Sequence, residues 1–251
     1  PAAPEATPEP TDDDVDGELV LDHEEQLQYA SQFTLTHYKG GYKKFTVANH
    51  EDREFLLVPE GKSVPEGLAE NVVVLQQPLN KICMCSTGMV SLIDAIGGLD
   101  SVATVGTDVS GWYIDNVIGR LEAGTIQYSG NYKEPDFEML TAEGIQLEVD
   151  TTMLNSYPEV MEKYDELGIP YFIESSSKEG HPLGRVEWVK LFGAILGYFL
   201  GTSLIPTIIW KVYEIMYDRF SALLPVFDGV LLLVSLLAAL LCSVGTAYVC
   251  C

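Results

Sequence analysis

Residues Leu79–Asp108 read LNKICMCSTGMVSLIDAIGGLDSVATVGTD, and the apolar period changes twice within them. KICMC is an apolar run of strand length. STGMVSLIDAIGG opens on Ser86 and Thr87, side chains suited to capping a helix N-terminus, and closes on Gly97-Gly98, a usual C-terminal stop. SVATVGTD then returns to strand composition. A strand, a helix and a strand with short connections predict a parallel pair with the helix on one face.

The alternation continues toward the C-terminus. A helix is predicted over Tyr113–Glu122 and another over Pro135–Glu143, followed by the strand IQLEVDT, the helix SYPEVMEKYDELG and the strand IPYFIES. The expected fold class is α/β, with a Rossmann-like parallel-sheet lobe over 79–182. On the N-terminal side, FTLTHY and KKFTVA flank Lys39-Gly40-Gly41-Tyr42, and EFLLVP and NVVVL follow. This predicts a small β-meander within a β-rich extension over 29–78. Residues 1–28 are rich in Pro, Ala, Glu and Asp, lack Lys and Arg, and hold too few large apolar side chains to offset the entropy of ordering. They are expected to form an unstructured acidic linker.

Charge excludes one partner class. The chain has 251 residues and a formal net charge of -23, from 37 acidic against 14 basic side chains, which argues against binding nucleic acid. No GxGxxG, GxxxxGK[ST], GxSxG or HExxH pattern is present, and the four histidines lack metal spacing. The chain is therefore read as a non-enzyme, without metal or cofactor. Cys83 and Cys85 share a strand face. As a CxC pair they could bind metal, but no Cys or His partners stand at suitable spacing, so they are read as small buried residues. Cys242, Cys250 and Cys251 lie in apolar surroundings.

In parallel sheets ligands gather at the carboxyl ends of the strands. Here those ends are Ser86-Thr87, Thr107-Asp108, Thr151-Thr152 and Ser175-Ser176, all hydroxyl-rich or polar. The next stretch, Glu174–Gly197 (ESSSKEGHPLGRVEWVKLFGAILG), places Val186, Val189, Phe192 and Leu196 at helical spacing.

Four blocks carry a resemblance: QQPLNKICMCSTGMVSLIDAIGGLDSVATVGTD, GWYID, YSGNYKEPDFEMLTAEGIQLEVDTTM and ELGIPYFIESSSKEGHPLGRVEWVKLFGAILG. Together they resemble the substrate-binding proteins of ABC importers for iron complexes, siderophores and cobalamin, from about Tyr29 to Gly197. The resemblance implies two α/β lobes joined by one long helix, with the ligand between them and residues 183–197 starting that helix. It implies an iron chelate (siderophore or haem) or a corrinoid as ligand, an ABC permease as partner, and a place at the extracytoplasmic face of the membrane. The acidic linker then corresponds to the spacer after a lipid anchor. On this reading the ligand meets Ser86, Thr87, Trp112, Tyr113, Tyr128, Asn131, Tyr132, Thr151, Thr152, Met153, Ser175, Ser176, Ser177, His181 and Arg185. Trp112, Tyr113 and Tyr132 suit stacking on a flat ligand. Arg185 suits an anionic chelate or a permease carboxylate.

Only the first lobe is recognisable, so a half-formed cleft is expected. Leu191–Trp210 and Gly229–Cys251 are free of charge. A helix over the second run would be about 35 Å long, enough for a bilayer core of about 30 Å. Residues 198–251 are thus expected to be an apolar, transmembrane helical tail. It resembles the last membrane helices of FtsX-type ABC permeases, with a joint near Gly193–Gly197. A membrane permease fragment, a membrane-tethered interaction module and an α/β enzyme are the alternative readings.

Overall fold

The computed structural model describes residues 19–48 and 53–197. The expected linker up to residue 18, and the expected tail from Tyr198, lie outside the described residues.

The first sheet is mixed and has the order β1-β2-β3-β4-β5. Its strands are β1 (Leu21–Glu24), β2 (Phe33–Tyr38), β3 (Lys43–Val47), β4 (Glu54–Val58) and β5 (Val72–Gln76). The first four are antiparallel, as a meander should be. β5 instead runs parallel to β4, with Glu54 opposite Val72 and Val58 opposite Gln76. The turn between β2 and β3 needs its two glycines, since Gly40 and Gly41 have φ of 75° and 85°. The expectation of an unstructured segment through residue 28 fails at Leu21–Glu24. All four residues of β1 are exposed. They are held by backbone pairing to β2, with Leu21 opposite Tyr38 and Glu24 opposite Thr36. A strand ordered by its ladder rather than by burial leaves no hydrophobic signal.

The second sheet is wholly parallel. β6 (Ile82–Met84), β7 (Val102–Val105), β8 (Gln127–Tyr128), β11 (Leu147–Thr151) and β12 (Tyr171–Glu174) stand in the order β12-β11-β6-β7-β8. A short hairpin, β9 (Gly130–Asn131) with β10 (Glu134–Pro135), follows β8. The expected helices are α1 (Thr87–Ala95), α2 (Asp115–Glu122), α3 (Phe137–Glu143) and α4 (Pro158–Leu167). The Asp136 side chain caps α3 by accepting from the Met139 N–H. Phe172 of β12 meets both Phe45 and Phe55 edge-on, at 5.6 and 5.8 Å between centroids, and so joins the two sheets.

The expected continuous helix over 183–197 is two helices, α5 (Pro182–Glu187) and α6 (Val189–Ile195). The break falls at Trp188, which is fully buried. Its indole packs edge-on against Phe33 at 5.0 Å, and its Nε1 donates to Glu179 Oε1 at 2.9 Å. α6 is buried almost all round, at Val189, Leu191, Phe192, Gly193, Ala194 and Ile195. Gln77 Nε2 donates to the terminal carbonyls of Ala194 and Ile195, both at 2.8 Å. Leu191–Ile195 is thus packed into the lobe, not free to begin a membrane run. Among the described residues no helix is long and apolar enough to cross a membrane.

Two carboxylates tie this helical end to the mixed sheet. Glu187 accepts the backbone N–H groups of Gln28, Tyr29 and Ala30. Glu179 accepts those of Ser31 and Gln32. Lys190 then bonds the Gln26 carbonyl and pairs with Glu25 and Glu187. Gly184 lies so close beneath this segment that a Cβ would stand 2.9 Å from the Tyr29 carbonyl.

Burial pushes the Glu187 pKa up, but the N–H bonds from Gln28, Ala30 and Tyr29, with Lys190, outweigh it and hold the group below its ordinary value. A pKa depressed in the folded state gives stability that is present above the unfolded pKa of about 4.3 and lost as pH falls through the folded value. Glu187→Gln is expected to cost about 1–3 kcal/mol in urea unfolding at neutral pH. The gap between parent and variant should narrow below about pH 4. An unchanged midpoint at neutral pH would show that the contact adds nothing.

Candidate ligand-binding face

Because the five strands are parallel, their carboxyl ends form one edge of the sheet, and the expected site residues fall along or just beneath it. Ser86 sits at the N-cap position of α1 but makes no capping bond. Its Oγ donates instead to Glu174 Oε1 at 2.7 Å, while Glu174 Oε2 accepts from the Ser176 N–H at 2.8 Å. The structure thus brings Ser86 and Ser176 together with Ser175 around Glu174, and all four are buried. They brace the edge from within. Glu174 was not singled out by the sequence, where it reads as the last residue of a strand.

Thr87 is exposed on the first turn of α1, and Thr151 and Thr152 are half-buried above β11. Thr151 Oγ1 accepts from the Met153 N–H at 3.3 Å, which turns the chain and leaves Met153 exposed. Trp112 is only 5% exposed, and its Nε1 donates to the Thr107 carbonyl at 2.9 Å. The indole fastens the loop after β7, so the stacking expected of it is not open to a ligand. Its neighbour Tyr113 is 80% exposed, and Tyr128 at the end of β8 is exposed too.

Asn131 and Tyr132 lie on the hairpin after β8. Asn131 Oδ1 accepts from the Lys133 N–H, and Tyr132 packs edge-on against Tyr157 at 5.8 Å. Gly130 has φ of 85°, and a Cβ there would collide with the Glu134 backbone, so glycine is required for this hairpin to form. His181 and Arg185 belong to the turn that leaves β12. His181 caps α5 by accepting from the Leu183 N–H and stacks on Tyr29 at 4.7 Å. Arg185 bonds the Ser177 carbonyl at 3.4 Å. Both have local structural partners rather than neighbours on the face.

A second arrangement lies beneath this edge. Register places Glu148 of β11 opposite Cys83 of β6, and Cys83 opposite Thr104 of β7. Asp150 follows on the same face beside Cys85, whose N–H bonds the Val149 carbonyl. Ligand atoms of Cys83, Cys85 and Glu148 all lie within 4.8 Å of one another. Glu148 and Asp150 are 0% exposed. No hydrogen bond of good geometry reaches either Glu148 oxygen, Asp150 Oδ2, Thr104 Oγ1 or the Tyr164 hydroxyl among the described residues, although the Cys83 and Cys85 thiols stand within reach of Glu148 and the Cys83 thiol within reach of Thr104. The surrounding core includes Leu140, Ile145, Leu154, Val160, Ile169 and Ile173.

Burial pushes the Glu148 carboxyl well above the usual range. It also lifts Asp150 to about 7, against the pull of the Thr151 N–H. The sequence offered the CxC pair but not its carboxylate neighbours. They come from a strand more than sixty residues away, and only the β6–β11 register shows that they share a face. A more exposed triple, His23, Glu25 and His37, lies at the edge of the mixed sheet, with the imidazoles stacked at 4.3 Å.

No protein-family model matches the chain. It is 28% identical over 198 residues to an uncharacterized lipoprotein of Methanocaldococcus jannaschii, an alignment covering 67% of this chain and 45% of that protein. The chain therefore spans less than half the length of this curated relative. Solved structures also align, three of which follow. They are the iron-uptake ABC transporter substrate-binding protein PiuA of Streptococcus pneumoniae (19% identity, TM-score 0.38, covering 54% of this chain and 43% of that one), the periplasmic heme-binding protein HutB of Vibrio cholerae (13%, 0.39, 57% and 49%) and the petrobactin-binding protein YclQ of Bacillus subtilis (16%, 0.37, 55% and 44%).

A buried carboxyl without partners destabilises the fold that contains it. In the metal-free chain, Glu148→Met is expected to raise stability by about 1–3 kcal/mol, read as a higher denaturant midpoint in the presence of chelator. A lower midpoint would mean that Glu148 has bonding partners in solution and is structural.

Proposed function

We propose that this chain is the ligand-binding component of an ABC importer, working at the extracytoplasmic face of the membrane with a permease partner, rather than an enzyme. Its ligand is an iron complex (siderophore or haem) or a corrinoid. The observation that carries the proposal is the single edge on which all five parallel strands end. It presents Thr87, Thr151 and Thr152 beside the exposed side chains of Tyr113, Tyr128 and Met153. Hydroxyl groups beside aromatic and thioether surface suit a large, flat ligand with a polar rim. The reading is further supported by the sequence blocks from Gln76 to Gly197 and, for the location, by the lipoprotein name of the relative. Tyr132, Asn131 and Arg185 remain candidates at the margins of the face, while Ser86, Ser175, Ser176 and His181 act by holding the loops in place. Trp112 positions Tyr113 and does not itself touch ligand.

The test is calorimetric titration of the full chain with ferric hydroxamate, ferric catecholate, haem and cobalamin. At least one should saturate. Tyr113→Ala should then weaken it about tenfold, the scale of one lost aromatic contact. Failure of all four to bind, or a Tyr113→Ala variant that binds like the parent, would contradict the reading.

A further inference from the structure

We propose that Cys83, Cys85, Glu148 and Asp150 form a binding site for a thiophilic divalent cation of the zinc type, buried in the parallel sheet beneath the ligand face. The inference does not depend on the importer reading. It begins with the placement of the groups. Cys83 of β6 and Cys85 just past its end stand two residues apart and face the same side, and the β6–β11 register sets Glu148 directly opposite the first. Cys83, Cys85 and Glu148 then offer one ligand atom each within a span of 4.8 Å. Asp150, next on that face, has one oxygen committed to the Thr151 N–H and the other without a partner.

The second observation is independent of the cluster itself. Glu148 is completely buried, and apart from the Cys83 and Cys85 thiols beside it neither carboxylate oxygen has a hydrogen-bond partner among the described residues. A sheet interior that only needed filling would hold an aliphatic side chain there, as β12 does at Ile173, opposite Asp150. A cation supplies what both oxygens lack and makes the two thiols ligands rather than filler.

The donor set selects the ion. Two sulfurs with one or two carboxylate oxygens suit a borderline cation that accepts four-coordinate geometry, and disfavour magnesium and calcium, which take oxygen alone. Binding releases to solvent both thiol protons, as the sulfurs become thiolates, and the proton that the buried Glu148 carboxyl holds. Ser129 Oγ, 3.4 Å from Cys83 Sγ, and the Thr104 hydroxyl are placed to donate to the resulting thiolates. Cys85 is half-buried at the strand ends, the side from which an ion can reach the cluster. Gly106 packs against Cys85, where a Cβ would overlap the sulfur. The His23–Glu25–His37 triple is a weaker candidate, as Glu25 is already paired with Lys190.

The test uses the full chain with Cys242, Cys250 and Cys251 replaced by Ser and with His23 and His37 replaced by Ala. It is kept reduced, stripped with chelator, and titrated with Co2+ and then Zn2+. One Co2+ per chain is expected, with thiolate-to-cobalt charge-transfer absorption in the near ultraviolet and the visible bands of a four-coordinate ion. Zn2+ should abolish both and raise the melting temperature. Cys83→Ser with Cys85→Ser should remove the charge-transfer band. Glu148→Gln should keep that band, shift the visible bands and weaken binding at least tenfold. A parent chain without thiolate-to-cobalt absorption overturns the proposal before any site variant is made. So does a band that survives loss of both cysteines, or a Glu148→Gln variant with the parent's spectrum and affinity.

Discussion

Five successive backbone N–H groups, from Gln28 to Gln32, end on two carboxylates, Glu179 and Glu187. Much of the lobe's assembly depends on that arrangement. Consecutive N–H groups in this irregular, bent segment have no strand or helix partners of their own. Supplying acceptors from α5 and the turn before it fixes where the mixed sheet meets the helical end. The same Glu179 holds the Trp188 indole, so one side chain bonds both the junction of α5 with α6 and the chain just before β2. α6 can then run inward, where Gln77 takes up its last carbonyls.

The parallel sheet divides its polar groups by depth. At the carboxyl edge, hydroxyls and exposed aromatics stand on loops that Ser86, Glu174 and Trp112 pin from below. Below that edge, Glu148 has only the two thiols beside it and Asp150 has one oxygen without a partner among the described residues. The first pattern is common to helix caps and ligand faces alike. The second has no packing rationale, since an aliphatic side chain in either place would be less costly. A cost of this kind is tolerated where a group serves function.

Much of this architecture is legible in the sequence, for identifiable reasons. The strand–helix alternation from Ile82 to Glu174 carries its own punctuation, and Gly144 and Gly168 end α3 and α4 with positive φ as C-terminal glycines do. β1 was not legible, because its four exposed residues are ordered by pairing alone. Nor was the break at Trp188. Helical periodicity runs through it without interruption. For the face, the strand-end residues were correctly located along the chain. Which of their side chains reach the surface was not legible, because nothing in a Trp-Tyr dipeptide says that Trp112 turns inward and Tyr113 outward. The Cys–Glu cluster needed the pairing register, which no single segment contains.

The central claim is that ligand binds where the five strands end. Hydrogen exchange on the full chain, with and without a saturating ferric siderophore, haem or cobalamin, tests it most directly. Slowed exchange is expected in the loops after β7, β8 and β11, around Tyr113, Tyr128 and Thr152, with the opposite edge of the sheet unchanged. Protection centred instead on that opposite edge, around Lys81, Gln146 and Pro170, or on the mixed sheet, would contradict the account.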